Sequence, residues 1–129
     1  MVTGGCLCGS VTYRILGKVG DIVHCHCQTC RKAHGAAFSS VAAVNEHEFE
    51  LSGRDCLRSY ESSPGKKRYF CSNCGTHLYA KRQMAAHIIL RLGSLDIDPG
   101  AQEKCHIWVS QKAPWYSINS ALPEHEKGE

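Results

Sequence analysis

Residues 24–31 read His-Cys-His-Cys-Gln-Thr-Cys-Arg, so three cysteines fall within six consecutive positions. Side chains alternate between the two faces of an extended strand, which puts Cys25 and Cys27 on one face. Cys30 returns to that face from the following turn, and the three sulfurs converge on one point. Three protein ligands that leave a fourth position open are typical of a catalytic zinc site rather than a structural one.

Two alternatives remain at this cluster. A fourth protein ligand would close the site, and the candidates nearby in the sequence or otherwise unassigned are His24, His26, His34 and Cys56. Strand alternation sends His24 and His26 to the face opposite the thiols, which weakens both as ligands. An iron–sulfur cluster is the other alternative, although the spacing matches neither common ferredoxin pattern.

Two further cysteine pairs flank this cluster. Cys6 and Cys8 form Cys-x-Cys-Gly, and Cys71 and Cys74 form Cys-x-x-Cys-Gly. Two thiolates on a tight turn can bind one ion, and a structural zinc takes four such ligands. Together the pairs predict one structural zinc that ties the N-terminus to the middle of the chain. Buried free thiols or disulfides are the alternatives.

The composition favours metal sites over disulfides. The chain has 129 residues, the length of one domain, and nine cysteines, an odd number that cannot all be paired. Clustered thiols in a reducing compartment are more often metal ligands than bridges. We therefore expect two zinc ions per chain and a cytoplasmic protein, with no signal segment and no membrane span.

The formal charge of +3 is too small to indicate a nucleic-acid partner. Two zinc ions bound by seven thiolates would bring it close to zero. Trp108 and Trp115 are therefore expected to serve in core and edge packing rather than in stacking on bases. Cys56 and Cys105, which belong to no cluster, are expected to be small buried residues.

Short strand-like segments separated by turn signals predict a mainly β domain over residues 1–121. The segments are 11–15, 41–44, 49–51, 57–60, 68–70, 77–79, 87–92 and 106–109. One helical turn is predicted over Thr29–His34, ended by Gly35. Residues 122–129 are polar, contain Pro123 and are predicted to form a frayed tail. The run Lys66-Lys67-Arg68 after a Pro-Gly turn is expected to be a solvated hairpin end, or else to bind a carboxylate or phosphate.

Four blocks of sequence resemble one family in their order and register. They are Cys-x-Cys-Gly-x-Val-x-Tyr at 6–13, Cys-His-Cys-x-x-Cys-Arg-Lys at 25–32, Cys-x-x-Cys-Gly-Thr at 71–76 and Gly-Ser-Leu-Asp at 93–96. The chain thereby resembles the glutathione-dependent formaldehyde-activating family, also called the centromere protein V/GFA domain. The resemblance implies a β-tent of short, twisted antiparallel sheets. It also implies a structural zinc on Cys6, Cys8, Cys71 and Cys74, and a second zinc that meets substrate on Cys25, Cys27 and Cys30.

The resemblance further implies a carbon–sulfur lyase that joins glutathione and formaldehyde into S-(hydroxymethyl)glutathione, or reverses that reaction. In this hypothesis the thiol takes the open position on the second zinc, which ionises its sulfur for attack on the aldehyde. His26 or His34 is the candidate proton donor, and Arg31 and Lys32 are candidates for binding the carboxylates of the tripeptide. A non-catalytic, zinc-stabilised module that binds another protein is the alternative function.

Overall fold

The computed structural model describes residues 1–128, and Glu129 lies outside the described residues. Its strands are β1 (Val2–Gly5), β2 (Thr12–Ile15), β3 (Ile22–Cys25), β4 (Ser39–Asn45), β5 (Phe49–Ser52), β6 (Leu57–Ser63), β7 (Lys66–Cys71), β8 (His77–Arg82), β9 (His87–Arg91) and β10 (Glu103–Ile107). One α-helix, α1, spans Gln28–His34, and 3-10 turns cover Glu46–Glu48, Arg54–Cys56, Leu92–Ser94 and Val109–Gln111. The predicted mainly β fold is confirmed.

The strands form two sheets that enclose the core. One sheet has the order β1-β2-β5 and the other has the order β10-β3-β4-β9-β8-β7-β6. Alternation gives each sheet one apolar face; on β2, for example, Tyr13 and Ile15 are buried while Thr12 and Arg14 are exposed. Tyr13 packs against Phe49 of β5, and Phe49 in turn packs against Tyr79 of β8, with ring centroids 5.1 Å apart in both pairs. The small sheet thus covers the apolar face of the large one.

One strand pair differs from the expected antiparallel pattern. Strand β10 pairs with β3 in parallel, with Ile107 beside Cys25, whereas the other pairs are antiparallel. Two parallel neighbours need a long connection between them. The connection from β3 to β10 contains the other strands of the large sheet. This return brings residues 107–111 next to the cluster of Cys25, Cys27 and Cys30.

The predicted helical turn is confirmed and is one residue longer than expected. Cys27 is the N-cap of α1, and its sulfur accepts a hydrogen bond from the amide of Cys30 at 3.3 Å. Gly35 follows the helix in the left-handed conformation, with φ of 59°, as the sequence predicted. Cys27 is therefore both a candidate metal ligand and the residue that caps the start of the helix.

The prediction of a frayed segment over 122–129 is wrong for the described part of that segment. The carbonyls of Pro123 and Lys127 accept hydrogen bonds from the amides of His106 and Trp108, at 2.9 and 3.0 Å. Strand β10 lies at the edge of the large sheet, so one side of its backbone has no neighbouring strand. The polar segment supplies hydrogen-bond partners on that side, although it contains a proline. Among residues 1–128, no helix is long and apolar enough to cross a membrane.

Candidate metal centres and the cationic cavity beside them

The first cysteine cluster joins the loop after β1 to the turn after β7. The sulfurs of Cys6 and Cys8 lie 3.6 Å apart, and those of Cys8 and Cys71 lie 3.8 Å apart. All four sulfurs, including that of Cys74, lie within 4.8 Å of one another. Four sulfurs bound tetrahedrally at about 2.3 Å from zinc would be roughly 3.8 Å apart. The donor set and its spacing therefore fit one zinc ion.

Hydrogen-bond donors surround these sulfurs. The amide of Val11 donates to the sulfur of Cys6 at 3.2 Å, and the amide of Asn73 donates to that of Cys71 at 3.4 Å. Hydrogen bonds from the side chain and amide of Thr76 lower the pKa of the Cys74 thiol to about 5. Donors of this kind favour the ionised sulfur, which is the form that binds a metal.

The second cluster lies where β3 runs into α1. Cys25 ends β3, Cys27 caps the helix, and Cys30 lies in its first turn. Their three sulfurs lie within 4.8 Å of one another, and among residues 1–128 no fourth histidine, cysteine or carboxylate completes the group. The geometry brings together the three residues that the sequence placed together and leaves one side of the group without a protein ligand.

The histidines proposed as closing ligands point elsewhere. His24 contacts Ser40 through Nδ1 at 2.8 Å and Glu103 through Nε2 at 2.7 Å. His26 directly follows β3, and its Nε2 lies 2.8 Å from Nδ1 of His106. Strand alternation predicted this arrangement, and it commits both rings to other partners.

The two histidines proposed as proton donors do not line the cavity beside the second cluster. Burial, reinforced by the charge of His106, lowers the pKa of His26 to about 4. Burial, reinforced by the charge of Arg91, also lowers the pKa of His34 to about 4. The ring of His34 instead faces that of His77, with centroids 4.9 Å apart. At neutral pH both rings are therefore uncharged and lie away from the thiols.

A cavity of about 460 Å³ opens beside Cys25, Cys27 and Cys30. Its wall carries four basic residues, which are Lys66, Arg68, Arg82 and Arg91. Lys66 and Arg68 alternate with Lys67 along β7, so they share the face that meets the cavity. The side chain of Lys67 points to the other side of the sheet, where it lines a separate cavity. The three consecutive basic residues are therefore divided between the two faces of the sheet.

Arg68 is the basic residue that reaches the thiols. Its Nη1 and Nη2 both lie 3.9 Å from the sulfur of Cys30, and its Nε donates to the hydroxyl of Ser62 at 2.9 Å. Hydrogen bonds from Cys25 and Cys27, helped by the charges of Arg68 and Arg91, hold the pKa of Cys30 well below its ordinary value. Hydrogen bonds with Cys27 and with Cys30, together with burial, raise the pKa of the Cys25 thiol.

Arg31 and Lys32, the residues that sequence analysis proposed for binding carboxylates, do not line this cavity. Lys32 lines a neighbouring groove of about 640 Å³, which meets the cavity at Arg68. Arg91 was missed because it lies at the end of β9, 61 residues beyond Cys30, and no local pattern marks it. Trp108 also lines the cavity, in a left-handed conformation with φ of 56°, whereas Trp115 is exposed.

Comparison with known proteins agrees with these features. The model of a family described as glutathione-dependent formaldehyde-activating enzyme matches residues 1–111. The chain belongs to the glutathione-dependent formaldehyde-activating family. The matched range contains all seven clustered cysteines and the four basic residues that line the cavity.

Two curated relatives share part of the sequence. An Aspergillus flavus protein, provisionally named a glutathione-dependent formaldehyde-activating enzyme, is 35% identical over 79 residues, which are 59% of this chain and 41% of that protein. An uncharacterized lyase of Schizosaccharomyces pombe is 32% identical over 76 residues, which are 59% of this chain and 54% of that protein. The matched region thus spans about half, or less, of these relatives.

A crystal structure of a Rhodobacter sphaeroides protein has a similar fold. Its TM-score is 0.62 at 22% sequence identity, and the match covers 78% of this chain and 97% of that one. At this identity the likeness shows the fold alone, whereas the family match and the names of the relatives support a lyase-type enzyme at the level of the family.

Proposed function

We propose that the chain binds two zinc ions and catalyses the addition of a thiol to a small aldehyde. Cys6, Cys8, Cys71 and Cys74 hold the structural ion; Cys25, Cys27 and Cys30 hold the second. In the forward direction glutathione and formaldehyde give S-(hydroxymethyl)glutathione, and the reverse direction makes the enzyme a carbon–sulfur lyase. Residues 1–121 would form the zinc domain, acting in the cytoplasm, where thiols stay reduced.

One observation carries this proposal: three sulfurs converge on a point that faces an open cavity without a fourth protein ligand among the described residues. A structural site fills its fourth position with a protein side chain, as the first cluster can. The thiolate-rich donor set suits zinc. Zinc bound there would supply the positive charge that keeps a substrate thiol ionised at neutral pH.

The chain's own residues have three tasks in this reaction. Cys25, Cys27 and Cys30 orient the substrate sulfur, and the cavity admits the aldehyde beside it. The sulfur's electron pair forms the carbon–sulfur bond, while the carbonyl π pair moves to oxygen. The proton given up by the thiol is replaced on that oxygen, so the sum is a thiol plus an aldehyde giving a hemithioacetal. The basic residues in the wall of the same cavity, Lys66, Arg68, Arg82 and Arg91, would stabilise the negative charge that develops on this oxygen, which favours the addition.

Cobalt substitution tests the thiol-binding step directly. Thiolate-to-cobalt absorption grows with the number of bound sulfurs, so titrating glutathione into the cobalt protein should raise this absorption. S-methylglutathione is the matched control, because its sulfur cannot ionise and should leave the spectrum unchanged. A flat spectrum at millimolar glutathione, with both sites shown to hold cobalt, would contradict the proposal and leave a metal-stabilised module without thiol chemistry.

A further inference from the structure

The charged side chains in the wall of the cavity beside the second cluster are all basic. Lys66 and Arg68 lie on β7, Arg82 on β8 and Arg91 on β9, which are neighbours in the large sheet. Lys66 and Arg82 are direct cross-strand partners, although like charges at such positions repel each other. None of the described residues that line the cavity is acidic. The chain therefore concentrates positive charge here without neutralising it.

Two of these cations are buried. Arg68 is 4% exposed and Arg91 is 5% exposed, and Nε and Nη2 of Arg91 are buried with no hydrogen-bond partner among the described residues. A buried charge is costly unless an opposite charge accompanies it. Three protein thiolates and one substrate thiolate around a divalent ion carry a net charge of −2, which balances the two buried arginines but not Lys66 and Arg82. Neither Lys66 nor Arg82 forms a salt bridge with another described residue, so the wall still lacks negative charge.

We infer that this wall, formed by Lys66, Arg68, Arg82 and Arg91, binds a carboxylate of the thiol substrate. The site accordingly selects thiols that carry a carboxylate a few bonds from sulfur over neutral or cationic thiols. The inference rests on the proposed function and specifies the substrate class of the same site. It assigns carboxylate binding to these residues, in place of Arg31 and Lys32.

The distance between the basic wall and the cysteine sulfurs limits how far the carboxylate of the substrate can be from its thiol. Arg68 lies 3.9 Å from the sulfur of Cys30, so an anion on the wall would sit only a few bonds from a sulfur held at the open position. The planar guanidinium groups suit a carboxylate, which accepts paired hydrogen bonds. Formaldehyde carries no charge before it reacts, so an anion that the wall recognises on binding must belong to the thiol. A short mercapto acid should therefore bind without the rest of a tripeptide.

The test compares 3-mercaptopropionate with its methyl ester and with cysteamine. Each is titrated at one pH into the cobalt-substituted protein, and each affinity is corrected for the ionisation of its own thiol. The acid and the ester have the same length up to the carboxyl group and differ in charge. We expect the acid to bind on the order of tenfold more tightly than the ester, as is typical of hydrogen bonds to charged groups. Cysteamine should bind more weakly than the ester.

Two surface substitutions locate the effect on the wall. Lys66→Gln combined with Arg82→Gln should remove most of the preference for the acid. Lys67→Gln is the matched control, because its side chain lies on the opposite face of β7 and should leave the preference intact. Melting temperature and cobalt content confirm that each variant folds and keeps both sites.

The outcomes separate this inference from the proposed function. If the acid and the ester bind equally, or if Lys67→Gln weakens the preference as much as the double variant, the wall is not a carboxylate site. Thiol binding to the metal then still stands. If none of the three thiols changes the cobalt spectrum, both the inference and the proposed function fail.

Discussion

Nη1 and Nη2 of Arg68 both lie 3.9 Å from the sulfur of Cys30. This contact joins strand β7 to the first turn of helix α1. The residues are 38 positions apart in the sequence. A buried guanidinium against a thiol favours the ionised sulfur. Arg68 is thus positioned to help Cys30 retain a metal as well as to meet a substrate anion.

Replacing Arg68 by Gln should weaken metal binding at the second cluster. Without the cation, ionising Cys30 becomes less favourable, and the affinity should fall on the order of tenfold, as for loss of a charged hydrogen bond. Competition with a chromophoric chelator measures this affinity for each of the two sites. Arg58→Gln, which removes an exposed arginine on β6, is the control and should retain both affinities. Equal metal affinities in the Arg68 variant and the unaltered chain would contradict this role.

Removing one ligand from each cluster should have different consequences. Cys71→Ser disrupts the four-sulfur site, and metal binding in small zinc domains contributes on the order of 10 kcal/mol to folding. We expect that variant to aggregate or to melt at a much lower temperature. Cys30→Ser should stay folded with about one zinc per chain and no thiol binding. Melting curves and metal analysis test this, and an equal loss of stability in both variants would make the second site structural as well.

Gly53→Ala should be far more damaging than Gly65→Ala. Both glycines have positive φ, 84° and 79°, which costs an alanine roughly 1–2 kcal/mol. A Cβ on Gly53 would in addition lie 1.8 Å from the carbonyl oxygen of Ser10, whereas one on Gly65 has no neighbour closer than 3.9 Å. Denaturant unfolding measures the difference. Similar losses in the two variants would show that the loop after Cys8 can move away from Gly53.

His34 should make the fold sensitive to acid. Its ordinary pKa is 6.5, and burial lowers it to about 4 in the folded chain. Between these values the unfolded chain binds a proton that the folded chain does not, so stability falls as the pH falls from 6.5 to 4. The loss from this residue alone is on the order of 3 kcal/mol.

His34→Asn should therefore flatten the dependence of the unfolding free energy on pH across this window. His47→Asn is the control, because the ring of His47 is exposed and both variants share the acid sensitivity of the metal-binding thiols. Urea unfolding at several pH values gives the slopes. The same slope in the His34 variant and the unaltered chain would contradict the assignment.

The sequence predicted which thiols lie close together better than it predicted the residues around them. The seven clustered cysteines are recognisable because ligands on one turn must be close in sequence, and strand alternation correctly separated His26 from Cys25 and Cys27. Only Lys66 and Arg68 of the four basic residues in the cavity wall stood out in the sequence. Arg82 and Arg91 reach the wall by the pairing of β7, β8 and β9, which is a long-range property that local patterns do not contain.

The end of the chain was misjudged for a similar reason. Polarity and Pro123 predicted fraying, but pairing depends on whether an open strand edge is nearby. Strand β10 offers that edge, and the amides of Trp108 and Val109 bond to the carbonyls of Lys127 and His125 at 3.0 Å. These bonds help hold Trp108 in its left-handed conformation at the rim of the cavity. A non-glycine residue in this conformation is strained, and such strain is typical of functional sites.

Catalysis of the thiol addition can be measured through the exchange of carbon-13 formaldehyde between its hydrate and S-(hydroxymethyl)glutathione, followed by NMR at equilibrium. Glutathione adds to formaldehyde without a catalyst, so the exchange rate, rather than product yield, reports catalysis. We predict that the rate rises linearly with the concentration of the two-zinc protein and returns to the uncatalysed value with Cys30→Ser. An exchange rate that stays at the uncatalysed value, with both metal sites occupied, would contradict the proposed enzyme.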